Sequence, residues 1–229
     1  MQGGKIIDLS GHYVKDDLNE DSVVLDFGAN VGSFSKAILR RYNCKVFAYE
    51  AYPKICEKYL SRIKSPNFTY YNNAVWHKNE RIKFWNYGSE WAVGAKLNPW
   101  GANSLFERLD EQDHDRFGNK MTKEQITVDA IAIDDILAQH KMVDYVKFDI
   151  EGAEVDVLLN VSDKQISKCK QIDVEFHHFL NDKSEKQVTL ESIEDIKSKF
   201  SRLSYKFIKH GHHPDYFFYR DDLSTGGSK

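Results

Sequence analysis

Hydrophobic and polar positions divide the chain into alternating strand-like and helix-like segments. Val23–Phe27 is apolar except for one acid, a composition typical of a strand that is buried on both faces of a sheet. Directly after it, apolar side chains recur at helical spacing, at Val31, Phe34, Ala37, Ile38 and Tyr42. The pattern therefore predicts a β-strand that is followed at once by an amphipathic α-helix.

The same alternation continues along the chain. It predicts further strands over residues 45–49, 68–75, 144–148, 171–176, 205–209 and 216–220, and further helices over residues 53–60, 153–160 and 188–200. Alternating strands and helices form a mostly parallel sheet with helices on both faces. We therefore expect an α/β fold with a doubly wound, mostly parallel seven-stranded sheet, in which the last two strands form an antiparallel C-terminal hairpin.

Residues 76–127 interrupt this alternation, as an insertion after the third strand. Strand-like pieces at 81–87 and 125–128 flank a polar, irregular middle that is too long for an ordinary connection. The insertion also holds aromatic residues that suit core packing or stacking on a sugar, namely Trp85, Tyr87, Trp91 and Trp100. We expect a lid, a substrate wall or a mobile loop here, a loop or short helix before residue 21, and a flexible tail over 223–229. One domain should cover residues 1–222.

Composition narrows the choice of partners and compartment. The 229 residues include 32 basic and 35 acidic side chains, so the chain lacks the excess of basic residues that is typical of nucleic-acid binding. No apolar run approaches the roughly 20 residues of a membrane helix, and the first residues do not resemble a secretory signal. Three widely spaced cysteines favour a reducing compartment. We expect a cytoplasmic protein with no integral membrane segment; the oligomeric state is left open.

A glycine-containing turn follows the first predicted strand, where open α/β sheets bind their ligands. Gly28 and Gly32 would let the backbone turn tightly and approach a ligand closely. The dinucleotide fingerprint needs two further glycines, but Asn30 and Ser33 occupy those positions, which disfavours an NAD-type oxidoreductase. Asp26 places negative charge at the turn, which suits the ammonium and sulfonium groups of S-adenosylmethionine.

The ends of the next two strands add candidates for the same cofactor site. Glu50 follows the second strand, where an acid can accept hydrogen bonds from both ribose hydroxyls. Ala51 comes next, and Asn73 and Ala74 near the end of the third strand would lie beside the adenine. In the alternative interpretation, Asp26 caps a helix and the glycines only turn the chain.

Carboxylates and a histidine follow the fourth and fifth strands. Asp149 and Glu151 come after the fourth, and Glu175 and His177 alternate along the fifth, so that they share a face. All four are candidate bases for removing a hydroxyl proton, and Asp149 or His177 is the expected one. Asp149 also borders the expected cofactor site. No residue is assigned as a metal ligand, although this cluster could hold a divalent cation. Lys147 should lie on the other face, paired with an acid.

Several runs of sequence together resemble the FkbM family of methyltransferases. They are VLDFGANVGSFS, the acid in AYEAYP, NNAVW, VDAIAIDDIL, VDYVKFDIEGAEVDVL and IDVEFH. The similarity spans residues 23–177, with departures at Ala51, where the family usually has proline, and in the run GANSLF. The resemblance implies a Rossmann-like class I fold and S-adenosylmethionine-dependent transfer of a methyl group, usually to a hydroxyl of a sugar, glycolipid or natural product. The acceptor would thus be a small molecule or glycan; a non-catalytic S-adenosylmethionine-binding partner protein stays an alternative.

Overall fold

The computed structural model describes residues 5–89, 104–105, 121–177, 189–211 and 215–221. Its strands are β1 (Ile6–Leu9), β2 (His12–Lys15), β3 (Val23–Phe27), β4 (Lys45–Tyr49), β5 (Phe68–Tyr71), β6 (Ala74–Trp76), β7 (Glu80–Ser89), β8 (Met121–Ala132), β9 (Tyr145–Phe148), β10 (Gln171–Glu175), β11 (Lys206–His210) and β12 (Asp215–Tyr219). Its helices are α1 (Ser33–Tyr42), α2 (Pro53–Lys58), α3 (Ile133–Ala138), α4 (Glu154–Asn160), α5 (Asp163–Ile166) and α6 (Leu190–Arg202), with a 3-10 turn at Leu60–Arg62. None of the described helices combines the length and apolar character that crossing a membrane would require.

The main sheet has seven strands in the order β11-β12-β10-β9-β3-β4-β5. The five strands from β10 to β5 run parallel, and β12 pairs antiparallel with both β10 and β11. The predicted doubly wound sheet with an antiparallel C-terminal hairpin is therefore confirmed. Strands β4 and β5 are added on one side of β3, whereas β9 and β10 are added on its other side. This change in strand order between β3 and β9 opens a crevice at their carboxyl ends.

Helices pack on both faces of the sheet, because the side chains of its central strands point alternately to the two faces and are apolar on each. Leu25 and Phe27 of β3 pack into a large core cluster that includes Val157 of α4 and Ile196 of α6. Val24 faces the opposite way, into a cluster with Phe34 and other residues of α1. Apolar side chains on both faces explain why β3 reads as a nearly continuous hydrophobic run.

The predicted third strand, residues 68–75, is wrong as a single element. It divides into β5, at the edge of the main sheet, and β6, which joins β7 and β8 in a second, three-stranded sheet. Between them, the Asn72 side-chain amide donates to the backbone oxygens of Glu50 and Ala51 at 2.9 and 3.0 Å. These bonds tie the chain to the end of β4 at the point where it leaves the main sheet.

The insertion contributes a long hairpin rather than isolated strand pieces. The predicted segments 81–87 and 125–128 are parts of β7 and β8, which pair antiparallel from Glu80 opposite Ala130 to Ser89 opposite Met121. Trp91 and Trp100 lie outside the described residues, as does the expected tail over 223–229.

The first twenty residues were expected to form a loop or short helix, and this expectation is wrong. They contain the antiparallel hairpin β1–β2, whose turn residues Ser10 and Gly11 have φ values of 58° and 89°. Val14 of this hairpin packs into the same cluster as α1. Burial of its apolar side chains therefore fixes the hairpin on the face of the sheet that α1 also covers.

Candidate functional site

The turn after β3 brings the ends of β3 and β9 into close contact. Gly28 has a φ of 74°, and a Cβ atom there would collide with the backbone carbonyl oxygen of Asp149. Glycine is the residue that meets both requirements, since it lacks Cβ and adopts positive φ without strain. Gly32, with a φ of 73°, is the N-cap of α1 and does not line the cleft described below.

Asp26 was expected to border the cofactor, but its position differs. It is wholly buried on the α1 face of β3, where the Ser35 hydroxyl donates to Oδ2 at 2.5 Å and the Lys147 Nζ lies 3.3 Å from Oδ1. Lys147 also donates to the backbone oxygen of Gly28 at 2.8 Å. Asp26 therefore lies behind the glycine turn and stabilises it through Lys147, since a buried carboxylate needs a cationic or hydrogen-bonding partner. The expected pairing of Lys147 with an acid is confirmed.

An open cleft lies at the carboxyl ends of the central strands, where open α/β sheets bind their ligands. Of the residues predicted from sequence, those that line it are Gly28, Asn30, Glu50, Ala51, Asn73, Ala74, Asp149 and Glu151. Apolar residues that the sequence did not single out complete the wall: Tyr49, Val75, Phe84, Leu105, Ile150 and Ala153. Phe84 belongs to the second sheet, so the insertion contributes to this cleft.

Two backbone amides fix the Glu50 carboxylate at the cleft. Asn30 N donates to Oε2 at 2.9 Å and Tyr52 N donates to Oε1 at 2.8 Å. Burial raises the pKa of Glu50, although these two amides favour the charged form. Asn30 itself has a φ of 49°, and its buried Oδ1 has no hydrogen-bond partner within the described chain. A buried oxygen without a donor is an acceptor that a bound ligand can satisfy.

His177 lies at the centre of the carboxylate cluster beside the cleft. Its Nδ1 is 2.8 Å from Glu154 Oε1, and its Nε2 is 3.7 Å from Asp149 Oδ1, 3.6 Å from Glu151 Oε2 and 3.7 Å from Glu175 Oε1. The structure thus brings together all four residues predicted for catalysis. Asp149 and Glu151 line the cleft, whereas His177 and Glu175 lie beside it.

The charged groups of this cluster shift one another's pKa values. Burial opposes protonation of His177, but Glu154, Glu151 and Asp149 outweigh it and raise the pKa of the ring well above its usual value. Burial also opposes ionisation of Asp149, but Lys147, 3.2 Å away, and His177 hold the pKa of Asp149 below its usual value. Burial, followed by repulsion from Asp149, raises the pKa of Glu175. The network therefore holds an ionised aspartate next to a glutamate that ionises less readily.

One histidine beside the cluster was not predicted. His12 in β2 is buried, and its Nδ1 lies 2.9 Å from Asp173 Oδ2. The other oxygen of Asp173 is 2.7 Å from His210 Nε2, so that one carboxylate joins two histidines. The sequence signal that could have indicated β2 is the alternation in His12–Lys15, where His12 and Val14 are buried.

A family model described as the methyltransferase FkbM domain matches residues 26–207. The AMB antimetabolite synthetase AmbE of Pseudomonas aeruginosa PAO1 is 28% identical over 185 residues, which are 70% of this chain but 8% of that protein. The methyltransferase sdnD of Sordaria araneosa is 26% identical over 187 residues, which are 69% of this chain and 67% of that protein. The chain thus spans a small part of AmbE and about two thirds of sdnD.

Solved structures resemble the chain more distantly. The precorrin-6y C5,15-methyltransferase of Geobacter metallireducens GS-15 has a TM-score of 0.40 and 14% identity, covering 90% of this chain and 83% of its own. TrmK of M. capricolum, solved with S-adenosyl-homocysteine, has a TM-score of 0.38 and 11% identity, covering 91% of this chain and 68% of its own.

Proposed function

The chain belongs to the FkbM family of methyltransferases, and we propose that it transfers the methyl group of S-adenosylmethionine to a hydroxyl oxygen of a small molecule or glycan. S-adenosylmethionine is the methyl donor. The observation that carries the proposal is the position of the carboxylate–histidine cluster. Asp149 and Glu151 belong both to this cluster and to the wall of the cleft that also contains Glu50 and Asn30.

The groups at the cleft fit the methyl donor. Glu50 is anchored by two backbone amides, so its carboxylate is held ready to accept from the ribose hydroxyls. The partnerless Oδ1 of Asn30 supplies an acceptor for a cationic N–H, and Gly28 leaves the turn without a side chain. Val75 and Phe84 provide apolar surface that suits the adenine ring.

The reaction needs a proton acceptor and two reactants held in line. When bound, S-adenosylmethionine supplies an electrophilic methyl group on a sulfonium. Glu151 takes the hydroxyl proton while the new carbon–oxygen bond forms and the carbon–sulfur bond breaks. Asp149, which lines the same cleft, hydrogen bonds to the hydroxyl and orients it.

Glu151 is the best placed of the four candidate bases. Asp149 is ion-paired with Lys147 at 3.2 Å, and His177 is buried beside the cleft, with Nδ1 bound to Glu154. Glu151 lines the cleft and has a φ of 55°, which is unusual for a residue with a side chain. Positive φ in such a residue costs on the order of 1–3 kcal/mol and is concentrated at functional sites.

Calorimetry and a labelled-methyl assay test the proposal. The purified chain should bind S-adenosyl-homocysteine and transfer labelled methyl to at least one member of a panel of sugars, glycolipids and hydroxylated natural products. Glu151→Gln should lower kcat by about 10²–10⁴-fold while the S-adenosyl-homocysteine Kd stays within twofold. The matched control, Glu57→Gln, changes an exposed glutamate of α2 and should leave both quantities unchanged.

Two outcomes would contradict this function. Absence of S-adenosyl-homocysteine binding would refute the methyltransferase assignment. Full activity in Glu151→Gln would refute the proposed base and return the role to Asp149 or His177. Cofactor binding without transfer to any acceptor would favour the alternative, a non-catalytic S-adenosylmethionine-binding partner protein.

The acceptor class, the compartment and the domain boundary belong to the same proposal. The name of AmbE, an antimetabolite synthetase, supports a natural product as the class of acceptor. Three free, buried cysteines support a reducing cytoplasm as the compartment. We place one methyltransferase domain over residues 1–222, with the insertion acting as a wall of its cleft.

A further inference from the structure

The loop between β9 and α4 carries the proposed base in an unusual backbone conformation. Glu151 has a φ of 55° and is followed by Gly152, whose φ is 106°. A residue with a side chain keeps a positive φ only where its surroundings hold it there. The contacts of this loop therefore determine where the carboxylate of Glu151 lies.

The first of these contacts comes from the helix that follows the loop. Glu154 is wholly buried at the start of α4, and its carboxylate accepts from the backbone N–H groups of Ile150 at 2.9 Å and Gly152 at 3.0 Å. These two bonds fix the residues on either side of Glu151. Because they engage N–H groups only, the carbonyl oxygen of Glu151 has to be held from another direction.

The second contact comes from the insertion. The Ser104 hydroxyl donates to the backbone oxygen of Glu151 at 2.6 Å, and this serine is wholly buried. A hydroxyl has one hydrogen to donate, so this bond commits it. Among the described residues, Leu105 lines the cleft and Ser104 does not. The serine therefore acts on the loop of the base rather than on a bound substrate.

Ser104 is itself fixed to the second sheet. Its backbone N–H donates to the backbone oxygen of Trp85 in β7 at 2.9 Å, and its own oxygen accepts from Trp85 N at 2.7 Å. Both bonds are made by main-chain atoms, so a change of the Ser104 side chain keeps them. The hydroxyl thus connects Glu151 to a paired strand whose residue Phe84 lines the cleft.

We propose that Ser104 is a positioning residue, whose hydroxyl holds the backbone of Glu151 so that its carboxylate meets the acceptor hydroxyl in the cleft. This role rests on the proposed function, since it concerns the base of that reaction. A misplacement of about 1 Å in a reacting group can lower a rate by roughly 10²-fold. The run GANSLF, which contains Ser104, then has two roles: it supplies part of the cleft wall and it supports the base.

A double-mutant cycle separates positioning from a general loss of stability. Ser104→Ala should lower kcat by about 10–100-fold, while the S-adenosyl-homocysteine Kd stays within twofold because the pairing with Trp85 remains. In the Glu151→Gln background the same change should alter kcat by less than about twofold, since the serine then has no carboxylate to position. Transfer of labelled methyl over long incubations measures the low rates in this background.

Ser22→Ala is the matched control. Ser22 is another buried serine, and its hydroxyl oxygen accepts from Asn19 N at 3.0 Å next to the start of β3, whereas the cleft lies at the end of that strand. Each variant loses one buried hydroxyl, so each should lower Tm by roughly 2–4 °C. Only Ser104→Ala should lower kcat.

Hydrogen exchange measures the same contact without any acceptor. Mass spectrometry of peptic fragments should show the backbone amides of residues 149–154 exchanging about fivefold faster in Ser104→Ala, the factor that corresponds to one hydrogen bond. Ser22→Ala should leave their exchange unchanged. Ser104→Cys, which keeps only a weak S–H donor, is the second variant should Ser104→Ala not fold, and its exchange should also be faster than that of wild type.

Each result decides for or against the positioning role. The proposal is overturned by wild-type exchange in Ser104→Ala, or in Ser104→Cys where that variant replaces it. It is equally overturned by an unchanged kcat, or by the same fall in kcat with and without Glu151→Gln. If wild type binds no S-adenosyl-homocysteine while Ser104→Ala exchanges faster, the methyltransferase assignment is refuted and the contact that holds Glu151 is retained.

Discussion

Three glycines with similar backbone angles and different surroundings allow a strict test of the turn after β3. Gly11, Gly32 and Gly28 have φ values of 89°, 73° and 74°. An added Cβ at Gly11 would have no atom within 4 Å. At Gly32 it would meet the Ile63 Cδ1 atom at 2.6 Å, the end of a side chain that can rotate. At Gly28 it would collide with the backbone of Asp149, which belongs to the sheet.

The expected losses of stability follow from these contacts. Gly11→Ala carries only the left-handed backbone penalty, about 1–2 kcal/mol. Gly28→Ala adds the overpacking of a rigid backbone, a further 1–3 kcal/mol or so. For a domain of this size about 1 kcal/mol corresponds to roughly 2–4 °C. Gly28→Ala should thus lower Tm by about 10 °C, Gly11→Ala by about 5 °C, and Gly32→Ala by an intermediate amount.

Thermal unfolding followed by circular dichroism measures the three losses, and calorimetry adds S-adenosyl-homocysteine binding. Because Gly28 lines the cleft and Gly11 does not, Gly28→Ala should also lose cofactor affinity while Gly11→Ala retains it. Equal Tm values for Gly28→Ala and Gly11→Ala, with normal cofactor binding in both, would refute the reasoning. The contact between the β3 turn and the end of β9 would then have no energetic importance.

Further predictions concern buried ionisable groups. Burial raises the pKa of Glu50, so this carboxylate takes up a proton at a higher pH than an ordinary glutamate does. As the pH is lowered, calorimetry should therefore show S-adenosyl-homocysteine affinity beginning to fall at that higher pH. Glu50→Gln should bind weakly and without this pH dependence. The folded state holds this proton more tightly than the unfolded chain does, so Glu50 makes the free protein more stable, not less, as pH falls through the same window. Lys199 donates to three backbone oxygens at the end of α4, and Lys199→Met should lower the free energy of unfolding by about 2 kcal/mol in urea titrations. Burial raises the pKa of Cys44 to about 11 and that of Cys56 to about 12, so a disulfide reagent at pH 8 should label the native thiols only on unfolding.

Each of these predictions has a control and a contrary result. A flat pH profile for wild-type affinity would exclude Glu50 as the titrating group. Lys164→Met, at an exposed position of α5, should change stability by less than about 0.5 kcal/mol. An equal loss in Lys164→Met and Lys199→Met would mean that the carbonyl contacts contribute nothing. Rapid labelling of the native protein would contradict the burial of the cysteines.

The central sheet and the cleft could be predicted because they depend on local pattern. Buried parallel strands are continuous apolar runs, and their carboxyl ends meet at one edge, so Glu50, Asn73 and Asp149 could be placed together before any coordinates. Asp26 shows where this reasoning fails. Its position at the turn suggested a ligand contact, but strand alternation directs its side chain away from Phe27 and toward α1, where it binds Lys147.

The partners of His12 could not be predicted because they depend on distant contacts. Asp173 is 161 residues away along the chain, and β1 and β2 are only four residues long, too short for a periodic signal to be decisive. The division of residues 68–75 into two strands has a similar cause. The bend follows side-chain bonds from Asn72 to the end of β4, and no local propensity indicates them.

The carboxylate that joins His12 to His210 links the first hairpin of the fold to the last. Every residue that lines the cleft lies before Lys206, where β11 begins. A ribosome-bound chain that had emerged only to Arg202 could therefore already possess a complete donor cleft. Asp173 would already contact His12 but would still lack the ring of His210, which arrives only with the final hairpin. The last hairpin therefore completes the buried contacts of Asp173, whereas every residue of the cleft and of the carboxylate–histidine cluster precedes it in the chain.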